Sequence, residues 1–269
     1  MKEVIPFTSL SWRTQAIRDV WEPIRKKIYE ATNIAEYEMI KEGKRSCDVY
    51  SFTPSNFDNQ INWVSENKFV PLTILRSKMY EGFGHRHYGT DQLGPDVFVY
   101  SVIADTYENA KKFRDASMGI VDHRVIGQLL GYPECCIDFF LPIWLDKHVM
   151  DPLFEIALNT EGHVMLDDDT VEVHGNPLLN RFSRYFGLCV APFFLHSYKC
   201  PEAVKFCQGW YDIMHKHYPY ESEKLLELLS MPVTWSHHNM ITRIEHPLYK
   251  GATNGFDWDI KKVVKWFPE

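Results

Sequence analysis

The chain has 269 residues, 45% of them hydrophobic and 24% charged, proportions of a protein that folds around its own core rather than of a disordered or disulfide-stapled chain. Its 29 basic and 36 acidic residues leave a net charge of −7, which argues against a broad electrostatic footprint for DNA or RNA and favours a small-molecule partner. The apolar runs at 137–145 and 188–195 fall far short of the ~20 residues that cross a bilayer. The opening MKEVIPFTSLSWRTQ has no sustained apolar segment or small-residue cleavage site. No membrane partner and a cytoplasmic, reducing location are therefore expected.

Between 11 and 43, Trp12, Ile17, Val20, Trp21, Ile24, Ile28 and Tyr29 recur at spacings of three and four, a helical period. Pro23 should kink or split that helix and Gly43 should end it. The Ser/Asn/Asp-rich stretch from 46 to 62 reads mostly as loop. Residues 1–75 are expected to form a helical arm and loop, and 76–269 one mixed core domain of α/β or α+β class.

Residues 96–104 are rich in Val, Phe, Tyr and Ile and read as a buried strand. Asp105 and Thr106 then offer a cap for a helix with Ala110 and Phe113 on one face. A second helix covers 122–130 and stops at Gly131. Alternating Val and Leu over 163–173 predicts a hairpin turning at Asp167, Asp168 and Asp169, read as a solvated turn rather than a cation site. Asn176 and Pro177 begin a helix that reaches Tyr185 and ends at Gly187. Residues 188–195 read as a strand, 199–217 and 222–229 as helices, 231–244 as strand-like, and 257–267 as a closing amphipathic helix.

The chemistry concentrates in two places. In Gly131-Tyr132-Pro133-Glu134-Cys135-Cys136, Gly131 closes one helix and Pro133 opens the next, which places both cysteines in a first helical turn. Unpaired N–H groups and the helix dipole there should lower a thiol pKa and favour a nucleophile or metal ligand. The bland reading is two small buried residues in a tight turn. In His196-Ser197-Tyr198-Lys199-Cys200-Pro201, Cys200 again precedes a helix-opening proline, and His196 stands at the end of the expected strand. If the two helix starts converge, Cys135, Cys136, His196 and Cys200 form a set suited to zinc or iron. Cys207, two turns further on, reads as core.

His85 and His87 form a weaker possible metal pair in GFGHRHYG. His174, His215, His217, His237 and His238 read as surface or internally satisfied histidines. No dinucleotide, P-loop, zincin or hydrolase motif is present.

Through IGQLLGYPECCIDFF and FGLCVAPFFLHSYKCPEAVKFC, residues 96–250 resemble a family of archaeal and bacterial proteins of unknown function, marked by an LGYPxCC turn and a later His/Cys segment. Where the family reads H-x-P-C-S, this chain reads HSYKCP. The resemblance implies that the two motifs matter and carries no activity with it.

Three functions follow from these residues. The first is an enzyme acting on a small polar or nucleoside-like substrate, with Cys135 or Cys136 as ligand or nucleophile, His196 as ligand or general base, and Cys200 as a further ligand. The second is an RNA-modifying enzyme using Arg181, Arg184 and Lys199 as a local basic patch. The third is a non-catalytic module with a structural zinc site.

Overall fold

The structure, a computed structural model, describes residues 7–78, 97–149, 151–254 and 261–266. Helix α1 (Gln15–Lys41) forms because Trp21, Ile24, Ile28, Ala31, Ala35 and Met39 make one apolar stripe, and all six are buried. Pro23 lies inside α1 and the helix continues through it, contrary to the expected split. A helix-interior proline costs about 3 kcal/mol. Each large side chain of the stripe returns roughly 1.5–3 kcal/mol on burial, so the stripe wins.

The described chain divides into two units, 36–78 with 97–134, and 7–35 with 135–254 and 261–266. In the smaller unit, β2 (Cys47–Phe52), β3 (Val70–Lys78) and β4 (Val97–Ala104) make an antiparallel sheet in the order β2-β4-β3. Val102 and Ala104 pack with Ala110 and Phe113 of α3 (Tyr107–Ser117), while Ile103 packs with Phe52, Phe69 and Val64 of α2 (Phe57–Glu66). The sheet is thus covered on both faces. Thr106 caps α3 as expected, its Oγ1 accepting from the Asn109 N–H at 3.2 Å.

The stretch from 46 to 62 is mostly β2 and α2 rather than loop. Its partner strand lies some fifty residues away, so local composition could not reveal the pairing. Helix α4 (Arg124–Leu129) closes this unit near the motif.

The larger unit is built on a seven-stranded sheet in the order β1-β9-β8-β7-β10-β6-β5. Its strands are β1 (Thr8–Trp12), β5 (Val164–Asp167), β6 (Thr170–His174), β7 (Val233–His238), β8 (Ile241–Glu245), β9 (Tyr249–Asn254) and β10 (Lys261–Trp266). Among the described strands only β10 against β6 is parallel, which makes the class mixed α+β. The acidic hairpin is β5–β6, with Asp167 Oδ1 accepting the Asp169 N–H at 2.9 Å. Asn239 and Met240 both adopt positive φ and join β7 to β8 in a tight two-residue turn.

Three expectations fail in this unit. Residues 261–266 are a strand, held between β7 and β6 with Val263 opposite Trp235 and Val171, instead of part of a helix; 257–260 lie outside the described residues. Residues 176–186 contain two short 3-10 turns, not one helix, and Asn180 is buried with its Nδ2 donating to the Leu229 carbonyl at 2.8 Å. Residues 188–195 are not a strand. Val190 and Ala191 are buried side by side, which breaks the alternation of a strand, and Pro192 lacks an N–H, so no ladder forms.

Candidate metal centre

Three backbone devices bring the sequence motifs together. At the first, α4 ends in a Schellman turn: the Tyr132 N–H donates to the Gly127 carbonyl at 2.9 Å and the Gly131 N–H to the Gln128 carbonyl at 3.0 Å. Gly131 has φ +72°, and a Cβ there would stand 2.3 Å from the Lys44 carbonyl oxygen, so glycine is required twice over. Glu134 is then held by Arg124 and Gln128, each at 2.8 Å. Helix α5 (Glu134–Leu145) starts here, with Cys135 and Cys136 in its first turn as the sequence predicts.

The second device is the start of α7 (Pro201–His217), the helix that follows the short α6 (Leu153–Leu158) in the chain. Cys200 is its N-cap, and its Sγ accepts the Ala203 N–H at 3.3 Å.

The third is the loop from His196 to Cys200, which is tied at nearly every residue. Asn159 Nδ2 donates to the His196 carbonyl at 2.8 Å, and the Tyr198 N–H donates to Thr160 Oγ1 at 3.0 Å. The Asn176 N–H donates to the Tyr198 carbonyl at 2.9 Å. The chain passes so close that a Cβ on Gly175 would lie 2.5 Å from Tyr198. Phe194, two residues before His196, stacks on Phe140 of α5 at 5.5 Å between ring centroids, one helical turn beyond Cys136.

The result is a cluster. Cys135 Sγ lies 3.8 Å from Cys200 Sγ, Cys136 Sγ lies 4.0 Å from Cys200 Sγ, and Cys136 Sγ lies 3.5 Å from His196 Nδ1. One donor atom from each of the four residues falls within 4.8 Å of all the others. A tetrahedral ion with metal–sulfur bonds of ~2.3 Å and a metal–nitrogen bond of ~2.0 Å sets its sulfurs about 3.8 Å apart and sulfur and nitrogen about 3.5 Å apart. These three separations therefore match a mononuclear Cys3His site, and the other three stay within 4.8 Å. In an iron–sulfur cluster the thiolates are divided among several irons, which spreads them beyond this spacing.

Cys136 and Cys200 are each 1% exposed, His196 is half-buried, and Cys135 faces solvent. All six cysteines are free thiols.

The electrostatics correct one expectation. The Cys135 and Cys136 thiols are pushed up from their ordinary value, mainly by burial, with the Cys200 sulfur adding to the shift of both. Helix starts do not make them thiolates by themselves; desolvation and mutual repulsion dominate. Burial lowers the His196 pKa and keeps its ring neutral, the form a metal requires. A cation at the centre removes the repulsion among three thiolates.

The remaining candidates do not join the centre. Cys207 is fully buried, as expected of a core residue. His174 lies 3.7 Å from Glu172, His215 lies 3.2 Å from Glu223, and His237 Nδ1 is 2.9 Å from Thr242 Oγ1. His85 and His87 lie outside the described residues. The basic patch proposed for RNA is not a surface patch: Arg181 is 8% exposed, and the buried Arg184 side chain pairs with Asp151 at 2.7 Å. Lys199 is exposed.

A cleft of about 850 Å³ lies elsewhere in the larger unit, between β1, the first half of α1 and residues 185–187, and none of the four cluster residues lines it. The sequence reading found all four donors but missed Asn159, Thr160 and Gly175, whose contacts with the loop span more than twenty residues and leave no local signal. Comparison with protein-family models, curated proteins and solved structures returns no match.

Proposed function

We propose that this protein is a zinc protein, in which Cys135, Cys136, Cys200 and Nδ1 of His196 hold one ion that fastens two helix starts and the 196–200 loop together. The observation that carries the reading is the match of three donor separations to tetrahedral edge lengths, all four donors lying within 4.8 Å of one another although they come from two segments sixty or more residues apart. Three thiolates and one imidazole are a donor set typical of structural zinc, and four protein donors fill the coordination sphere. The same set in tetrahedral form suits iron, so elemental analysis of the untagged protein decides the metal. Zinc at about one equivalent per chain is expected. After loading with zinc and gel filtration, less than about 0.2 equivalents would refute the reading.

A catalytic use of the same centre is the second reading, favoured by the exposure of Cys135. A solvent-facing ligand is one that a small polar or nucleoside-like substrate can displace, opening a coordination position for Lewis-acid chemistry. Chelation separates the two: a structural ion takes the fold with it, while a catalytic one leaves a folded, inactive protein. Membership of the LGYPxCC family and a cytoplasmic location belong to this proposal as well. Free thiols held as ligands suit a reducing compartment, and no described helix is long and apolar enough to cross a membrane.

A further inference from the structure

The four donors differ sharply in access. Cys136 and Cys200 are 1% exposed, whereas Cys135 faces solvent with its sulfur 3.8 Å from that of Cys200. A metal-bound thiolate remains a nucleophile, and oxidants reach cysteine sulfur according to access and to the presence of a second thiol nearby. We propose, building on the zinc reading, that Cys135 is a peroxide-sensitive modification site, and that its oxidation joins it to Cys200 and releases the metal.

The choice of partner follows from geometry. Disulfide-bonded residues have Cα atoms ~4.4–6.8 Å apart, but neighbours across a trans peptide are held at ~3.8 Å, which disfavours a Cys135–Cys136 bond. Cys136 and Cys200, at 4.0 Å, are both shielded from the oxidant. Cys135 and Cys200 come from different segments and need close only from 3.8 Å to the ~2.05 Å of a disulfide.

In the first step the Cys135 sulfur attacks hydrogen peroxide. An S–O bond forms as the O–O bond breaks, hydroxide leaves, and Cys135 becomes a sulfenic acid. In the second, the Cys200 thiolate attacks that sulfur; the S–S bond forms as the S–O bond breaks and a second hydroxide leaves. The two sulfurs lose two electrons, the two peroxide oxygens gain them, and two protons from solvent complete two waters. The metal is left with Cys136 and His196, half of its donors.

The test uses the full chain loaded with zinc, treated without air with one to five equivalents of hydrogen peroxide in the presence of a chromogenic chelator. The expected result is one zinc released per disulfide, a Cys135–Cys200 bridge in the non-reduced peptide map, and recovery of zinc binding after dithiothreitol. Cys135→Ser should slow release at least about tenfold. If that variant holds no zinc, the wild-type peptide map decides alone. In wild type under limiting iodoacetamide, Cys135 should be labelled at least about tenfold faster than Cys136 or Cys200. Zinc retained after five equivalents, or a bridge that omits Cys135, overturns this proposal and leaves the zinc reading standing. A chain that takes up no zinc overturns both.

Discussion

Replacing Cys200 with serine separates two roles that one side chain performs. As N-cap, Cys200 Sγ accepts the Ala203 N–H at 3.3 Å, and a serine hydroxyl is among the best caps, so the start of α7 is kept or strengthened by up to about 1 kcal/mol. What disappears is a sulfur 3.8 Å from Cys135 and 4.0 Å from Cys136. Structural zinc binds with an apparent 10–16 kcal/mol, roughly 2.5–4 kcal/mol for each of four donors. At about 1.4 kcal/mol per factor of ten, Cys200→Ser should weaken zinc roughly 60- to 700-fold. With free zinc at 1,000 times the wild-type Kd, the ion adds about 4 kcal/mol to wild-type stability. A hundredfold loss reduces that to about 1.4 kcal/mol. Chelator competition reads the affinity, and urea unfolding with and without zinc reads the stability. Cys207→Ala, buried but outside the cluster, should keep zinc affinity within about twofold. Cys200→Ser that binds zinc within about fivefold of wild type, or Cys207→Ala that weakens it as much, would refute the reasoning.

Because the Cys135 and Cys136 thiols titrate above their ordinary value, both are protonated at pH 7 before a metal enters, and zinc binding must expel at least two protons. The logarithm of the zinc association constant should rise with pH by at least about two per unit near neutrality; a slope below one, read by competition titration, would contradict the ligand set. His246 is 1% exposed, with Nε2 donating to the Leu228 carbonyl and Nδ1 accepting the Leu248 N–H, and burial lowers its pKa from 6.5 to about 4. The unfolded imidazole takes its proton near 6.5 and the folded one only near 4, so stability holds above that window and falls by up to about 3 kcal/mol as pH drops through it. Urea unfolding at pH 7 and 4.5 should show that loss in wild type and a smaller one in His246→Gln; equal losses would remove His246 as the cause. Gly131→Ala places a Cβ 2.3 Å from the Lys44 carbonyl at φ +72° and should destabilise by more than about 2 kcal/mol. A change under about 0.5 kcal/mol in urea unfolding would show that the close approach is absent.

Local chemistry was legible wherever it acts over one helical turn or one hairpin. Gly131 and Pro133 announced a helix break, Thr106 a cap, and the Val-rich stretch before it a strand; the structure has all three. The same local signals picked out Cys135, Cys136 and Cys200, because a cysteine close to a helix-opening proline is a short-range pattern, whereas His196 was singled out at the end of an expected strand that does not form.

The failures lie where partners are remote. Residues 261–266 carry a pattern that either a helix or a strand can use, and the gap between β6 and β7 decided for a strand. Residues 188–195 are apolar enough for a strand, yet Pro192 lacks an N–H and the segment joins no ladder. Pro23 was outweighed by a stripe whose burial depends on the whole fold.

The donor types and their presentation at helix starts were therefore set locally, by backbone stereochemistry and capping. Whether four donors meet within 4.8 Å was a tertiary matter. It depended on the stacking of Phe140 on Phe194 and on the hydrogen bonds of Asn159, Thr160 and Asn176 to the loop, contacts between segments that no short window of sequence contains. The raised thiol pKa values belong to the same level, since burial and the approach of other sulfurs exist only after folding and override the helix-start effect that local reasoning expects.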